Sequence, residues 1–330
     1  MEHFVTLFDS FFLPQGLALH MSMERHAGEY RLWILCIDQE VHDVLTRMDL
    51  PHVGLLRLSD LETPELLAVK PGRTRAEYCW TLTPFAPRFV FAADSRVSRV
   101  TYIDADLWFR KNPCLIFREF EASGKHVLIT EHAYSPEYDQ SQRSGIFCVQ
   151  FMTFNRDRGE TVRKWWEEQC IKWCFSKAED GKFGDQKYLD DWPTRFTDSV
   201  HVLNNRELLL APWNANRFPF ASAVAWHFHG FRIVKNTGPS YSVVVSAPTY
   251  STVISSEHAL SGEFGEYVLP SITRENIYRP YIEDMRAVIV KLTSMGIALR
   301  PQKDPETASL LEYLKMRLRL RAQRFLGISN

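Results

Sequence analysis

Residues 99–109 read RVTYIDADLWF, a short hydrophobic strand that runs into Asp104-Ala105-Asp106 before an apolar and aromatic run resumes. Side chains of extended backbone alternate between faces, so two carboxylates two residues apart at a strand end point the same way. Held together, like charges repel unless something positive lies between them. A divalent cation fills that role, and one bound by only two protein carboxylates shares its other positions with water and substrate phosphates. The stretch therefore suggests a metal-bridged diphosphate. It also suggests an open α/β sheet, because such folds place ligands outside the carboxyl ends of their strands.

Working outward, the same punctuation recurs. Residues 4–8 (FVTLF) read as a first strand that ends at Asp9, and Tyr30–Ile37 (YRLWILCI) as a second that ends at Asp38. Between them Pro14 to Met23 reads as a helix, and 39–48 as another. An apolar run follows at 52–58, helical spacing at 73–93, and a helix after Pro113. Val127–Thr130, ahead of Glu131, and 146–154 (IFCVQFMTF) read as further strands, and Asp157–Phe175 as an amphipathic helix. Alternating strands and helices imply an α/β three-layer sandwich with a mostly parallel central sheet. At Asp38 a helix cap is the preferred reading. After residue 235 the pattern degrades: 236–276 reads as loops with short strands, and the chain from about 277 reads as helical with a break near Pro301–Pro305. The expected division is 1–240 as the catalytic unit and 241–330 as an extension.

Composition excludes several classes. The 330 residues are 45% hydrophobic and 24% charged with a net charge of −1, so nothing in the global charge favours nucleic acid. No run approaches the roughly 18 apolar residues of a membrane span, and no secretory leader is legible. The six cysteines are dispersed inside hydrophobic runs and fit a reducing cytoplasm; Cys170 and Cys174 lack the second pair that a structural zinc site needs. There is no G-x-G-x-x-G after the first strand and no P-loop.

Two later stretches carry chemistry. In Trp226-His227-Phe228-His229-Gly230-Phe231-Arg232, the two histidines share a face if the segment is a strand. Neutral imidazole is a ligand for Mn²⁺ or Zn²⁺, so a histidine beside Asp104 and Asp106 completes a three-ligand set. Gly230 lets backbone approach a phosphate, and Arg232 and Lys235 are cations able to neutralise one. In Lys182-Phe183-Gly184-Asp185-Gln186-Lys187, an acid–amide pair stands where a helical segment is expected to open and to end before Pro193; a plain cap explains Asp185 equally well.

The ordered set IDAD, SGIFCVQF, GDQKYL and HFHGF resembles the family 8 glycosyltransferases, over roughly residues 3–235. The resemblance implies a GT-A fold and retaining transfer of a hexosyl group from a nucleotide sugar, usually a UDP-sugar. It implies that Asp104, Asp106 and His227 ligate Mn²⁺ or Mg²⁺, with Ala105 between the acids. It places Thr6, Leu7, Phe8 and Asp9 along the nucleoside, Arg73 and Arg75 near the donor, and Ser144 and Gly145 on the sugar side. Asp185 and Gln186 fall beside the transferred sugar, and Asn214 matches a later pocket asparagine. Two departures stand out. The family's glycine is followed by K-P-W, whereas here FRIVKN follows, with Arg232 and Lys235 both out of register; and Phe11 replaces a common asparagine.

The acceptor implied is a hydroxyl of a glycan or glycolipid, as in polysaccharide biosynthesis. Residues 307–326 (TASLLEYLKMRLRLRAQRFL) put Leu311, Leu314, Leu318, Ala322 and Phe325 on one helical stripe flanked by cations. That pattern suits either an anionic membrane, at the inner face of the cell membrane, or packing on the catalytic unit. Two rival classes share the acidic pair. A nucleotidyltransferase should carry a further phosphate-binding loop, and a non-catalytic sugar-nucleotide-binding protein should show decay of the Asp104, Asp106, His227, Asp185 and Gln186 set. Neither signature is present.

Overall fold

The computed structural model describes residues 1–235, 241–247, 250–254 and 267–300. The stretch 307–326, with its membrane reading, lies outside the described residues, as do the side chains of Arg232 and Lys235. Strands β1 (Glu2–Phe8), β2 (Tyr30–Cys36), β3 (Val53–Arg57) and β4 (Arg99–Ile103) join β6 (Val127–Glu131), β7 (Phe147–Asn155) and β8 (Val200–Val202) in one sheet of order β3-β2-β1-β4-β7-β6-β8. Only β7 runs antiparallel to its neighbours; the other pairings are parallel. A buried strand is apolar on both faces and reads the same in either direction, which is why its sense was not legible.

Helices cover both faces. On one, Phe4, Leu32, Ile34, Ile103 and Phe151 pack with residues of α1 (Leu13–His26), α2 (Gln39–Met48) and α5 (Cys114–Ser123). On the other, Val5, Leu7, Leu35 and Tyr102 pack with α3 (Arg75–Leu82) and α4 (Phe85–Ala93). Further along that face Val127, Val149 and Phe154 meet Val162 and Trp166 of α6 (Glu160–Lys172). The three-layer sandwich expected of a GT-A fold is what the chain forms. Local signals fix the helix starts: the Asp38 carboxylate accepts from Val41 N at 2.9 Å to cap α2, and Thr74 and Glu77 cap α3 reciprocally. The 73–93 stretch is thus two helices, and α6 begins three residues later than its periodicity suggested. Pro193 stops nothing: it sits in the first turn of a short helix, Trp192–Arg195.

Two small sheets extend the sandwich. In the first, β10 (Ala225–His227) lies between β5 (Leu107–Phe109), antiparallel, and β9 (Leu209–Leu210), parallel. In the second, β11 (Phe231–Lys235), β12 (Tyr241–Ala247) and β13 (Tyr250–Ile254) run antiparallel. Behind them α7 (Arg279–Ser294) closes the core: Tyr281 stacks on Phe228 with ring centroids 3.5 Å apart, and Asp284 accepts from Trp108 Nε1 at 2.7 Å. Among the described residues no helix is long and apolar enough to cross a membrane.

Candidate active site

The strand order reverses between β1 and β4, and the chain ends of both carry acids. Asp104 follows β4, its N–H donating to Gln150 O of the adjacent β7 at 3.1 Å. The chain turns at once, and β5 pairs with β10 so that His227 lies opposite Leu107. The turn is pinned by Phe228 N donating to Asp106 O at 2.8 Å. This brings Asp104, Asp106 and His227 together, with one ligating atom of each inside 4.8 Å of the others. His227 Nε2 lies 3.1 Å from Asp106 Oδ1 and 3.7 Å from Asp104 Oδ2. Its Nδ1 meets Gln150 Oε1 at 3.0 Å.

The electrostatics are those of crowded, buried acids. Burial raises the Asp104 carboxyl to about 6; His227 pulls it down and Asp106 pushes it up. Tyr102 donates its hydroxyl to Asp104 Oδ1 at 2.9 Å. Burial disfavours a charged His227, yet Asp106 and then Asp104 hold its imidazole well above the ordinary range. Two carboxylates and one imidazole form a donor set that suits Mn²⁺ and admits Mg²⁺, so the residues fit the implied cation.

Asp185 joins the site from a separate segment. Burial pushes its carboxyl up to about 7, with Asp104 adding to the rise. Asp185 is 3% exposed, and its Oδ2 has no hydrogen-bond partner among the described residues. It does not open a regular helix: the following turns, Lys187–Asp191, are 3-10. Gln186 is fixed through Nε2 on the Ser144 carbonyl at 2.8 Å. Gly145 has φ 102°, and a Cβ there would lie 3.0 Å from Asp190 Oδ1, so the position calls for glycine.

The β1 side is built differently. Thr6, Leu7, Phe8 and Asp9 are buried. Asp9 Oδ1 accepts from Phe11 N and Phe12 N at 2.9 and 3.1 Å, and Asp9 Oδ2 pairs with Arg75 Nε. Arg75 reaches Asp38 Oδ2 at 2.5 Å and lies over the Phe11 ring at 4.8 Å. Asp38 is thus both the expected cap and part of an ion-pair network. Beside it opens a cavity of about 280 Å³ lined by Ile37, Leu58, Lys70, Arg73, Thr74, Arg75 and Tyr78.

Other expected residues also hold protein segments together. Arg73 lines that cavity, but its guanidinium donates to Thr81 Oγ1 and to the carbonyls of Cys174 and Ile171. Asn214 is fully buried and holds backbone: its Oδ1 accepts from Ala211 N, and its Nδ2 donates to His132 O. His227 and His229 do come together, with rings 5.8 Å apart and both against Trp213, but β10 ends at His227, which is buried while His229 is exposed. Gly230, at φ 79°, turns the chain into β11.

Sequence reasoning missed Gln150 and an aromatic wall. The His132 ring stacks on Tyr134 at 4.7 Å and meets Trp213 at 5.2 Å, and Trp213 in turn meets His227 at 5.3 Å. Burial holds His132 down at about 3, so it is neutral. Between His132 and Tyr134, Ala133 adopts a left-handed φ of 49°, an uncommon conformation outside glycine. Only assembly of the fold reveals that wall, whereas Gln150 left a trace: an amide in the middle of a mostly apolar buried strand.

The chain is 30% identical over 241 residues to the uncharacterized protein YfnF of Bacillus subtilis (strain 168), covering 67% of this chain and 79% of that one. It is 29% identical over 250 residues to YfnD of the same organism, covering 70% and 78%. No family model matches. Among solved structures it is similar to mouse xyloside xylosyltransferase 1, at 15% identity and TM-score 0.43 over 68% of this chain and 97% of that one. It is also similar to the galactosyltransferase LgtC, at 14% identity and TM-score 0.44 over 72% and 87%.

Proposed function

The chain belongs to the family of YfnF and YfnD, and for this member we propose a divalent-metal-dependent glycosyltransferase that moves a hexosyl group from a UDP-sugar to a glycan or glycolipid hydroxyl with retention. The observation that carries the reading is the convergence of Asp104, Asp106 and His227 from two distant segments, with the Asp185 carboxyl buried beside Asp104. Asp104, Asp106 and His227 would hold the cation, Mn²⁺ in preference to Mg²⁺. When bound, that cation neutralises charge on the departing diphosphate.

The chain's own groups supply the rest. Thr6, Leu7, Phe8 and Asp9 line the nucleoside, with Arg75 and the cavity beside it. Asp185 faces a requirement for negative charge once the sugar carbon becomes oxocarbenium-like, and a carboxylate in a buried setting answers it strongly. Gln186, anchored on Ser144, and the tight Gly145 turn shape the sugar side. Gly230 admits the diphosphate close to backbone, and Arg232 and Lys235 follow it as candidate cations. In this reading the 307–326 stretch holds the enzyme peripherally on an anionic membrane.

The test is release of UDP from a panel of UDP-sugars by the full chain, with Mn²⁺ or with chelator. Release should require the metal and should fail in Asp106→Asn while the melting temperature is retained. Equal turnover in wild type and Asp106→Asn would refute the reading.

A further inference from the structure

We propose that Gln150 is the positioning residue of the metal centre: its side-chain oxygen accepts a hydrogen bond from His227 Nδ1–H and so reserves Nε2 for the cation. The inference rests on the metal reading above. Gln150 is fully buried in β7, and it touches both ligand-bearing segments. Its backbone carbonyl accepts from Asp104 N at 3.1 Å, and its Oε1 lies 3.0 Å from His227 Nδ1. One residue of a rigid central strand thereby sets the register of β4's acid end and the rotation of the β10 imidazole.

The direction of the bond follows from the charges. Nε2 faces Asp106 and Asp104, so a cation between these groups takes Nε2 and leaves the proton on Nδ1. Nδ1 then needs an acceptor, and the amide oxygen is one. A metal-ligating histidine whose other nitrogen donates to a fixed oxygen is oriented and made a better ligand. The cost lies at the other end of the amide: Gln150 Nε2 is buried without a hydrogen-bond partner among the described residues. A side chain kept for packing alone has no reason to carry that amide, because methionine fills similar space without it. Cys148, two residues earlier on the strand, also interacts with His227, but a thiol is a weak acceptor.

Gln150→Met, Gln150→Glu and Cys148→Ala in the full chain test this. Mn²⁺ affinity is measured by titration calorimetry, melting temperature without metal, and the His227 Nδ1 proton by NMR of the Mg²⁺-loaded protein. Gln150→Met should bind Mn²⁺ about 10- to 100-fold more weakly, melt no lower than wild type, and lose the hydrogen-bonded Nδ1 proton signal. Gln150→Glu, which keeps an acceptor oxygen, should restore affinity, and Cys148→Ala should leave it unchanged. A Met variant that binds Mn²⁺ within twofold of wild type overturns the assignment, as does equal loss in the Met and Glu variants. Asp106→Asn separates the two readings: if it too binds Mn²⁺ like wild type, the metal centre itself falls; if it alone loses binding, only the role of Gln150 falls.

Discussion

Two acidic clusters crown the same sheet, and they are finished to different degrees. At the ends of β1 and β2, Asp9 and Asp38 have Arg75 between them. Donors from Ser10 and Val41, with Arg75, outweigh burial and hold Asp38 below the usual carboxylate range. At the end of β4, Asp104 and the neighbouring Asp185 are raised, His227 lies against Asp104 and Asp106, and among the described residues Asp185 Oδ2 has no hydrogen-bond partner. The first cluster is complete within the protein. The second keeps its acids raised and one carboxylate oxygen without a bond, a setting that the cation and the cationic sugar carbon of the proposed reaction would neutralise.

The largest effect that can break this contrast is removal of a ligand. Asp106→Asn should lower Mn²⁺-dependent UDP release by at least about 100-fold, roughly 3 kcal/mol. Saturating Mn²⁺ should raise the wild-type melting temperature, as any ligand selective for the folded state does, and should leave that variant unmoved. Scanning calorimetry reads the second outcome directly.

Next comes Asp185. Its folded pKa of about 7 exceeds the ordinary value of an unfolded aspartate, near 3.9. The folded state therefore holds the proton between those values and loses stability as pH rises through them. Asp185→Asn removes that loss, so its gain in metal-free stability should grow by about 2–3 kcal/mol between pH 5 and pH 7.5. Urea unfolding at the two pH values measures it, and an equal gain at both would contradict the buried charge.

A smaller effect concerns protons and metal together. The two acids hold His227 protonated, and a cation must displace that proton. Mn²⁺ affinity should therefore rise up to about tenfold per pH unit on the acidic side, a slope that titration calorimetry at several pH values gives. Smallest is Arg75→Met. Its guanidinium is 45% exposed, so the ion pairs contribute about 0–1 kcal/mol to stability. Mn²⁺ affinity should stay as in wild type while UDP binding weakens, which sharpens the division between the two clusters.

Much of this was legible from sequence wherever a single residue type had one physical reason to be there. Apolar runs ending in Asp9, Asp38 and Asp104 marked β1, β2 and β4 because strands of a covered sheet are apolar and their ends are polar. Asp104 and Asp106 share the site as the sequence suggested, but a turn brings them there, Leu107 N donating to Asp104 O at 3.1 Å, and not the two-residue period of extended backbone. What escaped depended on assembly. The antiparallel sense of β7 leaves no mark in composition. His229 stands beside His227, as the spacing suggested, but its exposure was not legible, because the spacing does not tell that β10 ends at His227. Asn214 and Arg73 were placed with the ligand by pattern, yet their hydrogen bonds join protein segments, a use that only three-dimensional neighbours reveal. Gln150 carries a signal of its own, since an amide in the fully buried middle of a strand has to answer to a partner.

The stack of Tyr281 on Phe228 and the bond from Trp108 to Asp284 also bear on when the protein gains its chemistry. The ligands proposed for the cation are residues 104, 106 and 227, and the segments that bear them are braced by α7, later still in the chain. During synthesis, Asp104 and Asp106 leave the ribosome long before either His227 or its brace. A nascent chain therefore carries an acidic pair without a cage, and under the proposed reading capture of the metal would date the moment at which the two ends of the fold have met.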